Sequence, residues 1–349
     1  MTDGADGGTV IDVLVAGGGP AGLATAIRCA QAGLSVTVAE PRAVPIDKAC
    51  GEGLMPSAVA RLAALGVRPA GHPLRGIRYV DASHRVDARF RHGDGLGVRR
   101  TTLHAALAAR AAELSIPVLP VRVTSVIQDG GGVTAAGLRA RYLVAADGLH
   151  STVRRACGLD PRRARQPRFG LRRHYRLAPW TDLVEVHWSA GAEAYVTPVA
   201  EDLVGVAILG GAHGDFASRL AAFPALRERL AGAGPGSEVR GAGPLRQDVP
   251  RRSAGNVLLV GDASGYLDAL TGEGIGAALA QAAVLADCLA AGRPGDYERA
   301  WRRACRRSWM LTAGLLWSRH QPLLGPRIVP AAQRLPRLFT TIVNLVGDA

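Results

Sequence analysis

The chain has 349 residues, enough for one large α/β domain or two smaller ones. Hydrophobic residues make up 48%, ample for a core, and five cysteines with no C-x-x-C spacing argue against a disulfide framework or a zinc site and for a reduced, cytosolic protein. The net charge of +13 is almost all arginine, scattered through predicted helices and strands, and aromatics are only 5%; this speaks against a nucleic-acid stacking platform and for solvated faces with a field that attracts anionic cofactors.

Residues 1–9 read as a loose tail, small and acidic, without the pattern of a secretory signal. Val13 to Ala16 is a short apolar run that predicts a buried strand. Gly17, Gly19 and Gly22 follow with G-x-G-x-x-G spacing, and Pro20 and Ala21 lie inside it. A helix is expected from Leu23 to Ala32, then a β-branched strand from Ser35 to Ala39 with Glu40 at its carboxyl end. Each residue type has a reason in a dinucleotide site. Gly17 permits the tight turn, Gly19 lets a pyrophosphate approach the backbone, and Gly22 lets helix and strand pack closely. The helix amino end carries free N–H groups and a positive dipole that face the anion. Glu40 can accept hydrogen bonds from a ribose diol and repels a 2′-phosphate.

Beyond a loop holding Lys48, Cys50 and Glu52, a helix is expected from Ser57 to Leu65, with Ser57 as N-cap and Gly66 as stop. Alternation around Asp81 predicts a β-hairpin between Gly76 and Arg91. A helix then runs from Arg99 to Glu113, followed by strands from Ile116 to Val126 and a buried strand from Arg141 that ends at Asp147-Gly148. Alternating segments between residues 169 and 210 predict a second, antiparallel sheet, on which His174 and Tyr195 are the pocket candidates. A helix is expected from Phe216 to Leu230. Asn256 to Asp262 is a third strand ending in Gly261-Asp262, and Gly272-Glu273-Gly274-Ile275 opens a helix. From Tyr297 onward the chain is helical, apolar and arginine-rich, with prolines that divide it into short helices. The plain reading of that tail is a helical cap; the sharper one is an apolar tunnel or interfacial membrane contact.

The fingerprint with Glu40, then Asp147-Gly148 followed by Ser151 and Arg154, then Gly261-Asp262, resembles the single-component FAD-dependent monooxygenases of the aromatic hydroxylase type and their geranylgeranyl reductase relatives, over about residues 10–290. The resemblance implies an α/β fold. A Rossmann-type FAD-binding domain (10–75, 96–165 and 250–298) would interleave with an antiparallel-sheet substrate domain (76–95 and 166–249), followed by a cap at 299–349. It assigns Gly17, Gly19, Gly22 and Glu40 to the ADP half of FAD. Asp147 and Gly148 go to the cofactor cleft, Asp262 to the ribityl or pyrophosphate side, Arg100 to a flavin contact, and Gly272 to Ile275 to the turn beside the flavin ring. Lys48-Ala-Cys50-Gly is similar to a stretch of the reductase branch, while Asp268-Ala269 replace the proline usual before the final glycine turn. The tryptophan-rich motif of flavin halogenases is missing.

The resemblance implies a monooxygenase as the main expectation and a C=C reductase as its alternative. As a monooxygenase, the enzyme would use NAD(P)H as a transient co-substrate and molecular oxygen, and hydroxylate a phenolic or polyketide-derived, lipid-tailed metabolite through a flavin C4a-hydroperoxide. As a reductase, it would deliver hydride to a C=C bond. A non-catalytic basic module for nucleic acid or membrane is the contrasting class. Lys48 is the chain's only lysine and is a candidate flavin-side ammonium, and Cys50 is a candidate proton donor. No metal cluster is expected.

Overall fold

The computed structural model describes residues 10–162 and 167–348. The amino-terminal tail and the expected domain boundary at 165/166 lie outside them. Two eight-stranded sheets organise the molecule, with a small three-stranded sheet beside them.

The first sheet has the order Ser253–Ala254, Val257–Leu259, Leu138–Ala145, Ile11–Ala16, Val36–Ala39, Val118–Leu119. All neighbours in this order but the first pair are parallel, and Gly132–Ala135 and Ile127–Asp129 extend Leu138–Ala145 as two further, antiparallel strands. Ala16 stands opposite both Ala145 and Ala39, and Ala145 opposite Leu259, so these strands end at one edge. The sheet is apolar because both faces are covered. The Pro20–Gln31, Arg100–Glu113 and Gly274–Ala290 helices cover one face through Leu23, Ile27, Leu103, Leu107, Leu279 and Leu285. Leu14, Leu143, Val153, Val249 and Val257 pack on the other.

The second sheet runs Phe169–Arg176, Leu203–Gly210, Ala192–Ala200, Leu183–Ser189, Gly76–Val80, Arg85–Arg89. It is antiparallel except where Leu183–Ser189 meets Gly76–Val80. Alternation divides its side chains. Ala194, Val196 and Val206 pack under the Phe216–Leu220 and Pro224–Arg229 helices, while Tyr195, Val186 and Leu209 face the other way, toward Phe339 and Val343. The hairpin at 76–91 thus belongs to this sheet, as its alternation predicts.

Three expectations change. The helix after the Cys50 loop starts at Pro56 with Met55 as N-cap, not Ser57, because the fixed φ of proline suits the first helical position. The helix expected over 216–230 is two, divided where Pro224 opens the second. Between 116 and 126 only Val118–Leu119 is a strand. The tail is one long helix, Tyr297–His320, and two shorter ones, Ile328–Arg334 and Pro336–Gly347. Glu193 is fully buried between Arg168 and Arg319 and ties the long helix to the second sheet.

Candidate active site

The shared carboxyl edge of the first sheet brings Gly17, Glu40, Asp147 and Asp262 to one line, where ligands bind in open parallel sheets. The three fingerprint glycines differ in their reasons. Gly17 has φ +105, and a Cβ there would lie 2.7 Å from the Ala146 carbonyl oxygen. At Gly22 a Cβ would lie 1.8 Å from the Gly17 carbonyl oxygen. The protein itself therefore excludes side chains at both. At Gly19 the nearest atom to a Cβ would be Arg100 Nη2, at 3.8 Å. Nothing among the described residues forbids a side chain at Gly19; the open space in front of the helix start forms a cradle.

Gly19, Pro20 and Ala21 line a cavity of about 940 Å³ that continues past Arg100, Asp147, Gly148, Gly261, Asp262, Gly272, Gly274 and Ile275. Two buried polar atoms on this wall have no partner among the described residues, Arg100 Nε and Asp147 Oδ1. The other Asp147 oxygen caps the following turn through Thr152 N (2.7 Å). A donor and an acceptor left open beside an uncrowded helix start fit a phosphorylated, polyhydroxylated cofactor.

Gly17, Gly22 and Glu40 do not themselves line the cavity. Glu40 is buried; it accepts Gly18 N at 2.8 Å and takes Arg42 Nε and Nη2 at 2.8 and 2.9 Å. Burial pushes its pKa up, but the hydrogen bonds from Arg42 and Gly18 outweigh that and hold it below the usual carboxylate range. The Glu40 carboxylate thus positions Arg42, which lines the cavity, and the sequence reading did not single Arg42 out. Glu273 also differs from expectation. Its carboxyl turns away from the cavity to accept Ser308 Oγ (2.5 Å), and burial raises its pKa to about 7. Arg154 is buried and donates to the carbonyls of Leu149 (2.8 Å) and Ala263 (3.1 Å), locking the Asp147 and Asp262 loops together.

The Lys48–Glu52 loop forms the facing wall. Lys48 Nζ lies 3.4 Å from Asp262 Oδ2, and a Cβ on Gly148 would meet it at 3.3 Å. Cys50 lines the cavity; burial pushes its thiol pKa up, against the pull of Arg100. Glu52 has φ +60, unusual for a residue with a side chain, and its Oε1 accepts Arg100 N at 2.8 Å. Two pairs from one strand of the second sheet hold this loop. Arg172, fully buried, bonds Asp47, and His174 Nε2 lies 2.5 Å from Glu52 Oε2. His174, expected in the pocket, stands behind Glu52 and does not line the cavity. Asp47 and Arg172 escaped the sequence reading because they are 125 positions apart, and no local pattern joins them. Tyr195 does line the cavity, with its hydroxyl donating to Leu270 O at 2.6 Å.

The far end is apolar. Leu311, Leu315, Ile328, Leu335, Leu338, Phe339 and Ile342 of the C-terminal helices complete the lining.

Comparison with known proteins agrees with this geometry. The family model described as FAD binding domain matches residues 10–190. A menaquinone reductase of Mycolicibacterium smegmatis is 29% identical, over 97% of this chain and 92% of its own. A digeranylgeranylglycerophospholipid reductase of Methanopyrus kandleri is 30% identical, over 77% of each chain. Among solved structures, a flavoprotein/dehydrogenase of Cytophaga hutchinsonii superposes with a TM-score of 0.84 at 19% identity, covering 97% of this chain and 93% of that one, which supports the fold. The chain belongs to the FAD-binding-domain family and is an FAD-dependent oxidoreductase.

Proposed function

We propose that this enzyme reduces a C=C bond in an isoprenoid-tailed quinone or lipid, with NAD(P)H as a transient reductant. The observation that carries the reading is the Cys50 thiol on the wall of a largely apolar cavity. When FAD is bound and reduced it supplies hydride. The chain supplies the rest. Gly19, Arg100 and Asp147 bind and orient the cofactor. Tyr195, Leu209 and the C-terminal helices exclude water from the apolar end. The Cys50 thiol, kept protonated by burial, gives the proton that completes saturation of the bond. The two reductases that align along most of the chain support this order of preference over hydroxylation.

The mouth of the cavity suits a lipid tail. Leu335, Leu338 and Ile342 line the cavity and are also 55%, 53% and 42% exposed. Trp317, Leu323 and Leu324 of the same C-terminal segment are also exposed, and Arg327, Arg334 and Arg337 lie among these residues in the sequence. This is the composition of an interfacial contact with an anionic membrane. No described helix is long and apolar enough to cross one.

Hydroxylation of a lipid-tailed phenol is the second reading. Lys48 and Arg219 line the cavity and would stabilise a phenolate, the form that an electrophilic oxygen attacks. Oxygen dependence separates the two. Holoenzyme is reduced chemically under anaerobic conditions and mixed with menaquinone. Reoxidation of the flavin is expected, with a product whose tail remains two hydrogens heavier after its quinone ring has been reoxidised in air. Product that forms only with oxygen, carrying an added oxygen atom, would sink the reductase reading.

A further inference from the structure

We propose that Ser237, His174 and Glu52 form a buried proton relay from the protein surface to the cavity beside Cys50. The destination of the proton, the Cys50 thiol, rests on the reductase reading above.

His174 is fully buried and has a partner on each nitrogen. Nε2 lies 2.5 Å from Glu52 Oε2, and Nδ1 lies 2.7 Å from Ser237 Oγ. Arg172 Nη1 also faces Nδ1, at 3.2 Å. A guanidinium can only donate, so Nδ1 is the acceptor and Nε2 carries the proton. The ring therefore directs its N–H into the Glu52 carboxylate. Ser237 is partly exposed, and its neighbour Glu238 is exposed. Glu52 lines the same cavity as Cys50.

One strand holds the Lys48–Glu52 loop twice, and the two pairs differ in kind. Arg172 bonds Asp47 and cannot lose its proton. Two residues along, a histidine takes the place that a second arginine could fill. Anchoring alone does not need a group that accepts a proton at one atom and releases another elsewhere; imidazole is the side chain that does this near neutral pH.

The transfer balances without electrons. Solvent replaces the Ser237 hydroxyl proton as that proton passes to Nδ1. The imidazolium loses its Nε2 proton to Glu52, which passes a proton to the thiolate left after Cys50 has protonated the product. One O–H bond of solvent and the Nε2–H bond are broken, one S–H and one Nδ1–H bond are made, and the ring must regain its Nε2–H tautomer before the next turnover. His174 acts through Glu52 and is a positioning and relay residue.

The test uses holoenzyme labelled with ¹⁵N-histidine. The His174 Nε2–H resonance, assigned by its loss in His174→Gln, is followed for exchange with water. Ser237→Ala leaves the His174–Glu52 pair and the bound FAD in place and should slow that exchange about tenfold or more. An unchanged exchange rate overturns the relay, whatever the reaction. Anaerobic turnover with menaquinone then tests the destination. In His174→Gln, whose side-chain amide still donates to Glu52, later turnovers should slow about a hundredfold more than the first, because Cys50 starts protonated. Equal slowing of first and later turnovers makes His174 a structural anchor and overturns the relay. A wild-type enzyme that shows Ser237-dependent exchange but no anaerobic turnover overturns the reductase reading, and with it the thiol as destination.

Discussion

The two walls of the cavity are built on different principles. On the nucleotide wall Gly17, Glu40, Asp147 and Asp262 each follow a strand end and are aligned by the parallel register, with Arg154 tying the Asp147 and Asp262 loops together. On the facing wall the Lys48–Glu52 loop has little regular structure and is held by side chains from a distant strand, Arg172 on Asp47 and His174 on Glu52. The first wall is backbone geometry and tolerates changes only where there is room. The second is a set of buried polar pairs, each of which fails if one partner is removed.

The fingerprint glycines give the largest test of this contrast. Gly22→Ala should prevent folding, since its Cβ would overlap the Gly17 carbonyl; soluble yield and a thermal melt measure it. Gly19→Val should fold and lose FAD, read as flavin absorbance per protein after purification. Stoichiometric FAD in that variant would break the distinction between a glycine required by the chain and one required by a ligand. Next in size, Cys50→Ala should keep FAD and lose about 10²- to 10³-fold in anaerobic C=C reduction. A loss under twofold removes the thiol from the chemistry.

A smaller effect concerns stability. The Glu273 carboxyl has a folded-state pKa of about 7 against an ordinary 4.5. The folded protein therefore binds a proton more tightly there than the unfolded chain does. Stability is fully retained below about 4.5 and is lost as pH rises toward about 7, where the buried group must ionise. Glu273→Gln should recover about 1–3 kcal/mol at pH 8 and gain nothing at pH 4.5, measured by denaturant melts at the two pH values. The same gain at both would show that the group stays ordinary. Smallest is the mouth. Leu338→Asp should reduce binding to anionic phospholipid vesicles roughly tenfold with FAD retained, by co-sedimentation. Unchanged binding would move the membrane contact elsewhere.

The nucleotide wall was legible in the chain because a strand, a turn and a helix are local. Gly17 to Glu40, Asp147-Gly148 and Gly261-Asp262 announce themselves within a few residues. The alternating sheets were legible for the same reason. The roles of particular side chains were less so. Glu273 lies in the glycine turn but is drawn to Ser308 of the long C-terminal helix, a contact 35 positions away. His174 lies on the sheet face that the alternation suggested, but Glu52 stands between it and the cavity.

Local sequence by itself determined that this protein has a dinucleotide edge, because backbone sterics and strand-end geometry act over a few residues. Only the tertiary structure decided what faces that edge. The pairing of Glu52 with His174, of Asp47 with Arg172, and of the C-terminal helices with the cavity mouth joins segments far apart in the chain. Such pairs are selected by the cost of burying a lone charge or exposing an apolar stripe, and that cost exists only once the chain has folded.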